Sequence, residues 1–150
     1  MQVLRANPQQ AELLTYISTS AKSHWGYAED VIASWLAQLT VTPSSIAEHP
    51  TFVAVGSKDV LGFYQLILGA GITTLAHLWV LPAHMGKGVG RSLLTHALQQ
   101  AGTPLHIDSD PHAELFYLAC GAVRVGQLPA PIAGQPDRKL PQMKLHQVAT

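Results

Sequence analysis

The chain is short of the features that mark several large classes of protein. It has a single cysteine, Cys120, so no intramolecular disulfide can form, and a disulfide-stapled secreted scaffold is excluded. Charged residues make up only 12% of the 150 positions, Lys+Arg and Asp+Glu balance at nine each, and no run of like charges occurs. Without a basic stripe the chain lacks the electrostatic footprint of a nucleic-acid binder, so nucleic acid is not an expected partner. No apolar run reaches membrane-spanning length and no charged-then-apolar pattern opens the sequence, so the expected compartment is the cytoplasm, with no membrane partner. Repeats and linkers are also lacking, and the length fits one domain that buries roughly 70% of its unfolded surface.

What is present is a largely apolar composition, 47% hydrophobic, with 12 glycines, ten prolines and eight histidines. Val3 and Leu4 form a first short strand, ended by Asn7-Pro8, a cap and first-turn pair. Leu13, Leu14 and Ile17 recur at helical spacing, the helix breaks over Ser23 to Tyr27 around Gly26, and a second helix is predicted from Ala28 to Leu39. Its apolar stripe, Val31, Ile32, Trp35 and Leu39, places Trp35 in the core. Three β-rich segments follow, Thr51 to Val55, Val60 to Leu68 and Ile72 to Val80, with short links that favour antiparallel pairing. A helix begins at Gly88 and stops at Gly102, with Val89, Leu93, Leu94 and Leu98 inward. Leu105 to Ile107 is a further strand, and Pro111 to Ala119 a short helix capped by Asp110. Two last strands are expected over Ala122 to Gly126 and Gln142 to Val148, separated by the Pro/Gly-rich stretch Pro129 to Pro141.

Strand, glycine loop and amphipathic helix in that order make an anion site. Unpaired N–H groups at the helix start point outward, with the positive end of the dipole behind them. Gly86, Gly88 and Gly90 allow the backbone to approach phosphate oxygens closely. A Walker loop does not fit, since Gly90-Arg91-Ser92 has Arg for Lys and lacks the earlier glycine. A dinucleotide fingerprint fits poorly: the glycines alternate, and Pro82 to Met85 separate them from the strand, although Asp108 lies near the distance expected of its acidic residue.

The order of elements and the loop Met85-Gly86-Lys87-Gly88-Val89-Gly90-Arg91 resemble the GNAT superfamily, whose pyrophosphate loop reads Gln/Arg-x-x-Gly-x-Gly/Ala. Met85 departs from the first position. Upstream, Leu75-Ala76-His77-Leu78-Trp79-Val80 matches that family's central strand, and downstream Asp110 to Tyr117 followed by Gly121-Ala122 resembles its strand-helix segment. The resemblance implies an α+β fold whose mostly antiparallel sheet is splayed at the cofactor, flanked by helices, and direct acetyl transfer from acetyl-CoA to a primary amine of a small molecule or peptide. It assigns the cofactor to Trp79 and Val80, to the loop through Ser92, and to His112, Phe116 and Tyr117, with Tyr117 also acting on the thiolate. Lys22 to Tyr27 resembles the segment that borders the acceptor in a subgroup of small bacterial members, which points to His24, Trp25 and Tyr27.

The catalytic base is open at this stage. The subgroup resemblance places a Glu where this chain has Ala76, which leaves His77 and His24 as equal candidates. Strand alternation puts His77 on the face of Leu75 and Trp79, where a hydrogen-bonded core histidine is an equal reading. His106, Asp108 and His112 do not make a metal set, and none is expected. Two other functions compete: an acyl-CoA-binding module without turnover, favoured by Ala76 and Met85, and a nicotinamide oxidoreductase. The low charge and the apolar segment Leu128 to Leu140 lead to an expected homodimer.

Overall fold

A computed structural model describes all 150 residues. Seven strands form one sheet in the order β1-β2-β3-β4-β5-β7-β6: β1 Gln2–Arg5, β2 Thr51–Val55, β3 Val60–Leu68, β4 Thr73–Val80, β5 Leu105–Asp108, β6 Val123–Pro129 and β7 Lys139–Leu145. All pairings are antiparallel except β4 with β5. That parallel pair lasts only for Thr73 with Leu105 and Thr74 with His106, after which the strands part. The splayed, mostly antiparallel sheet expected from the resemblance is therefore present.

Helices cover both faces. On one lie α1 Ala11–His24, α2 Glu29–Ser34, α3 Leu36–Leu39 and α4 Pro43–Glu48; on the other lie α5 Val89–Ala101 and α6 Glu114–Ala119. The α5 side holds the larger core, in which Leu93, Leu94 and Ala97 meet Tyr64, Leu66, Leu105 and Met143. The α1 side holds a smaller core of Leu14, Ile17, Ile46, Val53 and Phe63. No helix is long and apolar enough to cross a membrane.

Four expectations are corrected. The single helix Ala28 to Leu39 is two, α2 and α3, broken at Trp35, whose ring lies against Lys22 and Arg138 rather than in the apolar core. The stretch between Leu39 and Thr51, for which the sequence predicts no element, holds a helix: Pro43 starts α4, because Thr42 and Ser45 close a capping box around it. The last two strands run longer on the hairpin side than proline content suggested. Pro129 ends β6 on the free edge of the sheet, and Pro141 lies beyond the last β5 pair, where a missing N–H is tolerated. Finally, β4 carries a bulge: Leu66 faces Leu75 and Gln65 faces His77, so Ala76 is the extra residue. Strict alternation fails there. Leu75 belongs to the α5-side core, whereas the His77 ring meets Phe63 on the α1 side.

Candidate active site

The divergence of β4 from β5 opens a cavity of about 530 Å³, lined on one side by Leu75 to Val80 and on the other by Ile107 to Asp110, His112, Phe116, Tyr117 and Cys120. At its end lies the glycine loop. Gly86 and Gly88 have φ of +77° and +82°, and a Cβ built on either meets no atom within 4 Å, so the loop is open towards the cavity and conformationally demanding at once. None of the amides from Gly86 to Arg91 has an acceptor within the chain; the first amide of α5 to find one is Ser92, which donates to Gly88 O at 3.0 Å. Six consecutive free donors at the head of a 13-residue helix form an anion cradle. Ser92 lies outside it, since its amide is spent. Lys87 sits in the loop without lining the cavity.

Tyr117 is buried between α6 and the core, yet its side chain lines the cavity and its hydroxyl has no partner in the chain. Burial first, then Cys120 and Asp110, push its pKa well above the ordinary phenol value, so it is a neutral donor. Cys120 beside it is raised by burial, against the pull of Arg91, whose guanidinium meets the sulfur at 3.7 Å and also donates to Ala149 O. His77 also lines the cavity, but its Nδ1 accepts from Trp79 Nε1 at 2.9 Å and burial lowers its pKa to about 4. It is a neutral acceptor with its one lone pair engaged. His24 is exposed at the end of α1, edge-on to Trp25 at 5.4 Å, and does not line the cavity.

Sequence reasoning missed a buried ionic cluster. Asp110, whose side chain is 7% exposed, accepts from Lys22 Nζ at 2.5 Å and Tyr27 Oη at 2.9 Å through Oδ2, with Arg138 at 3.7 Å. Through Oδ1 it accepts from the His112 amide at 2.8 Å and its Nδ1 at 2.9 Å. Burial raises the Asp110 pKa, but Lys22 and His112 outweigh it and hold the carboxyl below the ordinary range. Lys22 itself is lowered by burial, against the pull of Asp110 and with the push of Arg138. Both cations lie over the Tyr27 and Trp35 rings at 4.5–5.3 Å, and burial raises the Tyr27 phenol to about 12. Asp110 had been read only as a helix cap, which it also is. The one available signal was scarcity: in a chain with few charges, each lysine and aspartate that faces aromatic sequence is worth placing.

A family model described as an acetyltransferase (GNAT) domain matches residues 47–121, from the end of α4 through α6. The chain belongs to the GNAT acetyltransferase family. Among its relatives, a mycothiol acetyltransferase of Cellulomonas flavigena is 37% identical over 83 residues, 51% of this chain and 24% of that protein. The chain thus spans about a quarter of that relative's length. Two solved GNAT structures share the fold: the paia N-acetyltransferase of Thermoplasma acidophilum in complex with coenzyme A, with a TM-score of 0.78 and 16% identity over 97% of this chain and 98% of that one; and yncA of Salmonella typhimurium with acetyl-CoA, with a TM-score of 0.71 and 18% identity over 100% and 95%. At such identities the likeness concerns the fold alone.

Proposed function

We propose that this GNAT member transfers an acetyl group from acetyl-CoA to a primary amine of a small molecule or peptide. The observation that carries the reading is the row of six unpartnered amides, Gly86 to Arg91, at the end of a cleft that a narrow arm can enter between β4 and β5. A pyrophosphate is the group that such a row satisfies, and the open space over Gly86 and Gly88 leaves room for its oxygens. Met85, Val89 and Gly90 shape the cradle. The β4 edge beyond Thr74 has no strand partner on the β5 side, so main chain near Trp79 and Val80 is available to an extended pantetheine arm. Phe116 packs against Gly90 and closes the cavity beside Tyr117, whose free hydroxyl is suited to give a proton to the departing sulfur.

When bound, acetyl-CoA would supply the activated acetyl group. The chain's part is to hold it, aim the carbonyl at the acceptor and manage two protons. A second reading, a binding module without turnover, has one observation in its favour: Ala76 stands where a candidate carboxylate base would, and both Asp110 oxygens are engaged. Calorimetry with acetyl-CoA and thiol release over a panel of amines separates the two. Binding with release on some amine supports the transferase; binding with release on none leaves the module; no binding overturns both.

A further inference from the structure

A second cavity, of about 200 Å³, adjoins the first. Trp25 and His112 line both, and their rings stack at 5.4 Å and 8°, a two-ring partition between the cofactor cleft and the smaller pocket. The smaller pocket has Tyr27, Val31, Ile132 and Gln135 on its remaining walls, and so offers an acceptor an apolar and aromatic surface with one amide.

We propose that His112 is the general base of the transfer, oriented by Asp110. The inference rests on the acetyltransferase reading above. Three observations place the ring in that role. It stands at the junction of the two cavities, where an amine held in the smaller one would meet the cofactor cleft. Its Nδ1 and its own amide both bond Asp110 Oδ1, an ionised acceptor, so the ring proton resides on Nδ1 and the lone pair on Nε2. Nε2 has no partner in the chain, and the side chain is 42% exposed, which keeps that nitrogen open to an incoming ammonium and to solvent. The other two histidines considered lack one requirement each: His77 has its lone pair engaged, and His24 lines neither cavity.

The step balances as follows. Nε2 takes one proton from the acceptor ammonium, and the freed nitrogen lone pair forms the N–C bond at the acetyl carbon. As the C–S bond breaks, sulfur keeps its electron pair and takes a proton from Tyr117, which recovers one from the acylated nitrogen. His112 then releases its proton to solvent. The products are an amide, a thiol and one proton. Asp110 is a positioning residue: it fixes the tautomer and shares the charge that the ring acquires, while its other oxygen is bound to Lys22 and Tyr27 and approached by Arg138.

The test is His112→Gln, which keeps a polar side chain of similar reach but cannot titrate. Groups near His112 that charge or titrate are Asp110, Tyr27, Lys22 and Arg138, with Asp108, Tyr117 and Cys120 on the same wall of the cleft, His77 on the opposite wall and His84 and Arg91 at its end, and all of them remain in the variant. At saturating acetyl-CoA, kcat/KM for a good amine should fall by about a hundredfold. The acid limb of its pH profile should move up to the pKa of the acceptor's own ammonium, and added imidazole should restore part of the rate. A variant with wild-type kcat/KM and the wild-type acid limb overturns the base assignment while the acetyltransferase reading stands. Wild-type protein that binds acetyl-CoA and acetylates no amine overturns both. Nitrogen NMR gives a check independent of turnover: the neutral His112 ring should carry its proton on Nδ1, and a proton on Nε2 refutes the proposal.

Discussion

At the scale of single residues, two positions carry different kinds of demand. Gly88 sits at φ +82° immediately before α5, so any side chain there is strained whatever the space around it. Gly88→Ala is expected to cost about 1–2 kcal/mol of stability and to weaken coenzyme A about tenfold or more, as the amides turn away from their shared focus. Calorimetry on the folded variant checks this, and an unchanged affinity would remove the loop from the binding site. Tyr117 makes the opposite case, because its ring is structural and its hydroxyl free. Tyr117→Phe should fold and bind coenzyme A normally while the transfer rate falls about a hundredfold with chemistry rate-limiting. A wild-type rate in that variant would leave Tyr117 as a packed aromatic and move the proton to water.

At the scale of elements, what could be read in the sequence was what a local conformation demands. The glycine loop was legible because positive φ selects a residue type, and α5 because its apolar spacing and its Gly102 stop are local. The bulge at Ala76 was not, since one extra residue in a strand leaves no mark in composition. Nor was the buried cluster: Lys22 and Asp110 are 88 positions apart, and Tyr27 and Arg138 are 111 apart. The bulge decides how His77 on β4 behaves with pH. Its pKa is lowered to about 4 by burial, against about 6.5 unfolded, so between those values the unfolded chain binds more protons. The neutral ring's contribution is complete above pH 6.5 and is lost as the pH falls towards 4, a difference on the order of 3 kcal/mol at most. Urea unfolding at pH 7 and pH 5 should show this loss in the wild type and a much smaller one in His77→Gln. His96, also lowered by burial, leaves a remainder of the same sign. Equal losses in both proteins would mean that the His77 ring is solvated.

For the whole molecule, the segment Leu128 to Leu140 does expose apolar residues, Leu128, Pro129, Pro131, Ala133 and Pro136, and it also reaches inward. The hairpin between β6 and β7 turns Arg138 inward, 5% exposed, to cover Tyr27 and Trp35, and its Ile132 and Gln135 wall the smaller cavity. Further exposed apolar side chains lie on α6 and the free-edge strand β6 that leads into this segment: Leu115, Leu118, Val123 and Val125. If a homodimer forms, this edge is where charge should break it. Light scattering is expected to give a dimer mass at micromolar concentration for the wild type and a monomer mass for Val125→Lys; a monomeric wild type ends the expectation.

The bulge on β4 can also be considered as a matter of shape. Deleting Ala76 would let β3 and β4 pair without interruption, so the ladder itself would become more regular. No side chain would change face, since Leu75 and His77, then neighbours, would point to opposite faces by ordinary alternation, as they already do. What would go is the local bend and added twist that the extra residue gives β4 just beyond its last pair with β5, where the two strands part. A single alanine without a functional group thus helps to set how the cleft opens, not which side chains line it.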